Sequence, residues 1–97
     1  MALFRRLYEK LAFVACSDEV RVGDQMLYLP LHPGDVMHHV GFVVEPPSPT
    51  GQLEIAFERL VVADNPKLSI PLRGEERGKP YARLRSDLRH YPSCPAR

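Results

Sequence analysis

Ten prolines interrupt the chain from Pro30 onward, and they constrain its fold more than any other feature of the sequence. Proline fixes its own φ angle and has no backbone N–H to donate, so it ends helices and avoids the interior of a sheet. The prolines therefore argue against a helical bundle. The length of 97 residues and the hydrophobic fraction of 44% indicate one small globular domain.

Segment 17–72 alternates short apolar runs with loops, which is the pattern of strands. The apolar runs lie at 20–22, 26–31, 39–45, 53–62 and 68–72. Alternation is clearest at 53–57, and a bend or bulge is expected at Glu58-Arg59. Pro30 and Pro71 are expected at sheet edges or strand ends, and the proline-rich loop at 46–51 is a candidate contact finger. The pattern predicts about five short strands in a bent sheet or partly open barrel.

The order of these segments resembles an SH3-like barrel. Val22-Gly23-Asp24 leads into an apolar strand, a long loop follows, and the next strand begins with Val40-Gly41. The resemblance covers about half of the chain, and it implies a fold without implying any chemistry. The expected fold is therefore mostly β (α+β), a small SH3-like, partly open barrel.

Residues 2–15 have the apolar spacing of an amphipathic helix. The apolar side chains recur at three- and four-residue steps, at Leu3, Phe4, Leu7, Leu11 and Val14. This N-terminal helix, assigned to residues 1–16, is expected to pack on the rest of the domain or to dock on a partner protein. The side chains expected to contact a partner are Leu3, Phe4, Leu7 and Leu11.

The two cysteines and the short apolar stretch near the N-terminus predict a reducing compartment. Only five apolar residues lie between the charged Lys10 and Cys16, whereas a secretory signal peptide needs an apolar stretch of about 7–15 residues. Cys16 and Cys94 are therefore expected to be reduced thiols of a protein in the cytoplasm or another reducing intracellular compartment. No run approaches the roughly 18 apolar residues of a membrane helix, so no membrane span is expected.

The C-terminal segment carries a positive charge that the net charge of +1 conceals. Residues 1–72 hold six Lys/Arg and nine Asp/Glu, a formal charge of −3, whereas residues 73–97 hold seven and three, a formal charge of +4. A short helix is possible over 81–91. Tyrosine and arginine are favoured anchors at protein interfaces. The candidate partner-binding residues of this basic C-terminal arm, 73–97, are Tyr81, Arg83, Arg85, Leu88, Arg89 and Tyr91.

The histidines and cysteines lack the spacing of a structural metal site. The chain has no pair of cysteines two to four residues apart. His38 and His39 are adjacent, so on a strand they point to opposite faces of the sheet. No metal and no cofactor are expected.

A second resemblance concerns catalysis. The run from Gly23-Asp24 to His39-Val40-Gly41 resembles the second half of NlpC-type cell-wall cysteine peptidases, which implies His39 as a catalytic base. Those enzymes place their cysteine at the start of a helix, where the helix dipole favours the thiolate. Cys16 instead lies at the C-terminal end of its predicted helix. A cysteine-dependent hydrolase is therefore a remote alternative, and a non-enzymatic function is expected.

The expected function is a protein–protein interaction or assembly module, a small subunit or accessory factor of a larger complex. It would dock through the N-terminal helix and the basic C-terminal arm, on either side of a barrel domain at 17–72. The same arginines and tyrosines can neutralise phosphates and stack on bases. Nucleic-acid binding, to RNA or DNA, is therefore the alternative function.

Overall fold

The computed structural model describes residues 19–92, and these residues form one open antiparallel sheet of six strands. The strands are β1 (Gln25–Tyr28), β2 (His38–Glu45), β3 (Gln52–Val62), β4 (Asn65–Pro71), β5 (Pro80–Leu84) and β6 (Leu88–His90). Two short 3₁₀ helices, η1 (Gly74–Glu76) and η2 (Arg85–Asp87), precede β5 and β6. The fold is therefore mostly β, as the sequence predicts.

The strand order brings the C-terminal segment to both edges of the sheet. Neighbouring strands follow the order β4-β3-β2-β1-β6, and β5 pairs with β3 outside that path. The first half of β3 pairs with β5, through Ile55 opposite Tyr81, and its second half pairs with β4, through Leu60 opposite Ile70. The chain then continues from β5 through η2 into β6, which pairs with β1. One short segment thus connects the two ends of the sheet.

A β-bulge bends the pairing of β2 with β3. Val40 lies opposite Arg59, but Gly41 lies opposite Phe57, so Glu58 is an extra residue on β3. A bulge increases the local twist of a strand. The bend expected at Glu58-Arg59 is confirmed, and Pro71 lies at the end of β4 as predicted.

The apolar side chains form two buried clusters, one on each face of the sheet. The main core comprises Val20, Met26, Val43, Leu53, Ile55, Phe57 and Leu88. The second cluster comprises Leu27, Val40, Val61 and Tyr91. Met26 and Leu27 are adjacent on β1, and successive strand side chains point to opposite faces. Each fully buried apolar side chain contributes about 1.5–3 kcal/mol relative to an exposed one.

Polar contacts hold β6 against the start of β1. Asp24 Oδ2 accepts hydrogen bonds from the backbone N–H of Arg21 at 2.9 Å and from His90 Nε2 at 3.0 Å. Burial raises the pKa of the Asp24 carboxyl, but these two donors outweigh burial and hold the pKa below its ordinary value. Gln25 Nε2 also donates to the carbonyl of Tyr91 at 2.9 Å. The end of the described chain is therefore fixed to the sheet.

The prediction of a short helix at 81–91 is wrong. These residues form most of β5, then η2 and β6. Tyr81 and Arg83 are half-buried and alternate with exposed neighbours, which is the period of a strand. The free backbone edges of β3 and β1 supply hydrogen-bond partners from far along the chain, and this tertiary pairing overrides local helical spacing. Residues 80–90 thus belong to the sheet and do not form an arm outside it.

The predicted N-terminal helix lies outside the described residues. Its proposed partner-binding side chains, Leu3, Phe4, Leu7 and Leu11, are outside them too. The expected strand at 20–22 is not formed, although Val20 is buried in the main core. Between residues 19 and 92, no helix has the length and apolarity needed to cross a membrane.

Candidate functional site

A groove of about 330 Å³ opens at one end of the main core. Its floor is aromatic and consists of Tyr28, Phe57 and Tyr81, which come from β1, β3 and β5. One wall is the loop between β1 and β2, including Pro30 and Asp35, and further lining comes from His39, Leu72, Glu76 and Arg83. We call this site the aromatic groove.

Four strands each place one ring in the aromatic groove. Phe57 lies at the centre, with its ring centroid 5.9 Å from that of Tyr28 and 6.3 Å from that of Tyr81. The imidazole of His39, at the start of β2, contacts the same phenyl ring edge-on at 5.2 Å. Edge-on and tilted aromatic pairs at such separations are favourable beyond the area they bury. Sheet pairing therefore fixes an aromatic surface that no single segment contains.

The guanidinium of Arg83 lies over two of these rings. Its Cζ atom is 5.3 Å from the Tyr28 centroid and 5.0 Å from the Tyr81 centroid. Each contact has cation–π geometry, worth about 0.5–2 kcal/mol depending on exposure. Arg83 Nη1 donates to the carbonyl of Ala82 at 2.8 Å, whereas Nε is buried and has no hydrogen-bond partner among residues 19–92. Lys79 Nζ is 5.6 Å from the Tyr81 centroid.

The protonation of His39 depends on its position in the groove. Burial lowers the pKa of the His39 imidazole, the carboxylate of Glu76 raises it, Arg83 lowers it, and Asp35 raises it. The net direction is downward from the ordinary value of 6.5. The imidazole is therefore mostly neutral at pH 7, and the fixed charges of the groove are those of Arg83, Asp35 and Glu76.

This pKa predicts how stability depends on pH. Below the ordinary value of 6.5, the unfolded chain binds a proton at His39 before the folded protein does, because the folded pKa is lower. The free energy of unfolding should therefore fall as the pH drops from 6.5 to the folded pKa, and His39→Gln should remove this part of the dependence. Denaturant titrations of wild type and His39→Gln at several pH values measure the free energy of unfolding. An identical dependence of that free energy on pH in the two proteins would contradict the prediction. In wild type, the NMR titration midpoint of His39 should lie below 6.5.

The structure separates the partner-binding residues predicted in 73–97. Tyr81 and Arg83 lie in the aromatic groove. Leu88 and Tyr91 are core residues, only 3% and 6% exposed, so neither offers a side chain to a partner in this fold. Arg85 Nη1 donates to the carbonyl of Leu88 at 2.7 Å, and Arg89 is exposed on β6.

Sequence patterns did not identify the other half of the groove. Tyr28 and Phe57 fall within apolar runs that predict strands, and Asp35 and Glu76 fall within no motif. Alternation along β3 does place Phe57 on the face of Leu53 and Ile55. Bringing Phe57 beside Tyr81 additionally requires the register of β3 with β5, which no local pattern specifies.

The side chains of the aromatic groove bear on the hydrolase alternative. Within 19–92, the lining of the aromatic groove contains no serine, threonine or cysteine, and no group of three His, Cys, Asp or Glu side chains could hold a metal ion. His39 is the second residue of β2, whereas Cys16 lies outside the described residues. No protein-family model, curated protein or solved structure matches this chain. The chemistry of the groove is therefore the guide to function.

Proposed function

We propose that this protein is a non-enzymatic protein–protein interaction module that binds a segment of a partner polypeptide in the aromatic groove. One observation carries the proposal: Tyr28, Phe57 and Tyr81 converge around an open space of about 330 Å³, with Arg83 between two of the rings. Tyrosine and arginine are the residue types that most often dominate the energy of protein interfaces. Such a module would serve as a small subunit or accessory factor of a larger complex.

The finer description of the fold is an SH3-like, partly open barrel. The topology supports it, because β5 pairs with β3, β6 pairs with β1, and the 3₁₀ helix η2 joins them. The aromatic groove then lies beside the long loop between the first two strands. In such a barrel, a rigid sheet holds the binding side chains while loops form the rim.

Docking would involve more than the groove. The apolar residues Leu3, Phe4, Leu7 and Leu11 remain a proposed second contact with the partner, since two linked contacts bind more tightly than either alone. A reducing compartment, such as the cytoplasm, remains the proposed location because the sequence supplies only Cys16 and Cys94.

Nucleic-acid binding is the second candidate, and one observation favours it. Arg83 and Lys79 both lie against the Tyr81 ring, and cations beside aromatic rings can serve single-stranded nucleic acid. The carboxylates of Asp35 and Glu76 line the same groove and would repel phosphates. Arg83 also covers the ring faces on which a base would stack. These two features favour a polypeptide.

Selection from a random peptide library tests the proposed function. The full chain, wild type and Tyr28→Ala, is immobilised and screened in parallel, with Leu84→Ala as the matched control. Leu84 is 46% exposed, and it alternates with Arg83 on β5, so it points away from the groove. Peptides should be enriched on wild type and on the control but lost on Tyr28→Ala. Equal enrichment of peptides on wild type and on Tyr28→Ala would contradict the proposal.

The same proteins are titrated with labelled single-stranded RNA and DNA. Nucleic-acid binding through several phosphates would weaken steeply between about 50 and 200 mM salt. Salt-sensitive oligonucleotide binding that is lost in Tyr28→Ala, together with no enriched peptide, would establish the second candidate. The proposed function predicts no such binding.

A further inference from the structure

Arg83 occupies the space that the aromatic groove offers to a ligand. Its guanidinium lies within about the same distance of two tyrosine rings, 5.3 Å from Tyr28 and 5.0 Å from Tyr81. Both rings therefore present the electron-rich faces that attract a cation. The groove already shows which chemical group it holds, and that group is a guanidinium.

The internal guanidinium is poorly satisfied in this position. Within the described part of the chain, Nε is buried without a hydrogen-bond partner, and Nη1 donates to the carbonyl of the neighbouring residue, Ala82. A buried donor that has lost water and gained no acceptor is unfavourable. Arg83 lies on a strand next to the loop-lined opening, so its side chain can leave the rings by rotating while β5 keeps its pairing with β3.

The groove also holds negative charge that Arg83 does not neutralise by direct contact. Asp35 and Glu76 both line it. Among residues 19–92, neither carboxylate forms a salt bridge with Arg83. With His39 mostly neutral, a second cation entering the groove would meet two carboxylates and the faces of two tyrosines.

We propose that the aromatic groove recognises an arginine side chain of the partner polypeptide, and that Arg83 is an internal competitor which the partner's arginine displaces. This inference rests on the proposed function and specifies the ligand. It assigns the partner's guanidinium to the space between Tyr28 and Tyr81, with Asp35 and Glu76 as its counter-charges.

The opposite assignment would make Arg83 the receptor for a carboxylate of the partner. The two assignments predict effects of opposite sign when Arg83 is removed. An internal competitor weakens binding, so its removal strengthens it. A receptor makes binding possible, so its removal abolishes it. The lining favours the competitor, because the carboxylates of Asp35 and Glu76 would repel a carboxylate of the partner, and the buried Nε is closed to it while the side chain is stacked.

The test uses two capped tripeptides, one with a central arginine and one with a central glutamate, titrated into the isotope-labelled full chain and followed by NMR. The proteins are wild type, Arg83→Ala and Arg83→Met, since methionine keeps an apolar stem if alanine destabilises the fold. If the space is free in about a tenth of wild-type molecules, both variants should bind the arginine peptide about tenfold more tightly. Tyr28→Ala should abolish that binding, and Glu76→Gln should weaken it.

Each other outcome overturns the inference. Weaker arginine-peptide binding by both Arg83 variants, or binding of the glutamate peptide that is lost in them, would make Arg83 a receptor. If neither tripeptide binds but library peptides still require Tyr28, the ligand assignment fails while the proposed function stands. If library peptides also fail to bind, both fail.

Discussion

Replacing Gly41 with alanine is expected to destabilise the fold by about 3–5 kcal/mol or to prevent folding, because the added methyl group has no room. A Cβ atom at this position would collide with the carbonyl oxygen of Ala56 and would lie 2.6 Å from the Cα of Phe57. Both obstacles are backbone atoms of β3, so no side-chain rotation relieves the contact. Denaturant unfolding followed by circular dichroism measures the effect.

The position of Gly41 explains why the collision cannot be avoided. It follows the bulge at which β3 carries the extra residue Glu58, and β2 lies between β1 and β3 in the sheet. Moving the backbones apart would break the pairing that connects the rings of the groove. Gly34→Ala is the control, since it has open space around it and a positive φ of 89°, so only about 1 kcal/mol of backbone strain is expected. Equal stability of the two variants would contradict this account.

Leu88→Ala is expected to lower the free energy of unfolding by about 2–5 kcal/mol. Leu88 is 3% exposed and belongs to the main core with Met26 and Ile55. Truncation would remove buried apolar area and leave a cavity that the sheet fills only partly. Leu84→Ala makes the same chemical change four residues earlier, at a side chain that is 46% exposed, and should cost less than about 1 kcal/mol.

The pair of leucine variants tests the placement of the C-terminal segment. If residues 80–90 were an arm outside the domain, both substitutions would leave stability unchanged. If they formed a helix with Leu84 and Leu88 on one side, both would have similar effects. A large loss for Leu88→Ala alone, measured by thermal and denaturant unfolding, is the result that the sheet pairing of β5 and β6 requires. Equal effects would contradict it.

Local chemistry was enough to predict the central strands. Alternation at Leu53, Ile55 and Phe57 predicted β3, and the valine-rich run from His39 predicted β2. The interruption at Glu58-Arg59 predicted the bulge. These features depend on side-chain period, turn residues and proline, all of which are read over a few residues.

The last two strands were missed because their stabilisation is non-local. Leu84, Leu88 and Tyr91 follow helical spacing, while Tyr81 and Arg83 follow strand spacing, so the pattern of 81–91 fits both periods. Whether this segment forms a helix or strands depends on the open edges of β1 and β3, which supply backbone partners from distant parts of the chain. Local propensity is weak beside such pairing.

The candidate site was predicted only in part, because its assembly also depends on non-local strand pairing. Tyr81 and Arg83 stood out because aromatic and arginine residues alternate in a basic segment. Tyr28 and Phe57 did not, since an aromatic residue on an apolar strand is ordinarily a core residue. Only the register of β3 with β5 places Phe57 beside Tyr81 and leaves room for the guanidinium of Arg83 beside the rings.

The central claim is that the aromatic groove binds a polypeptide, and one measurement tests it most directly. The Kd of a library-selected peptide is determined by calorimetry for wild type, Tyr81→Ala and Leu84→Ala, after each variant is shown to be folded. The two substitutions lie on opposite faces of β5. Tyr81→Ala should weaken binding at least tenfold, a loss of about 1.4 kcal/mol or more, and Leu84→Ala should leave the Kd unchanged. Equal affinity of the three proteins would contradict the claim.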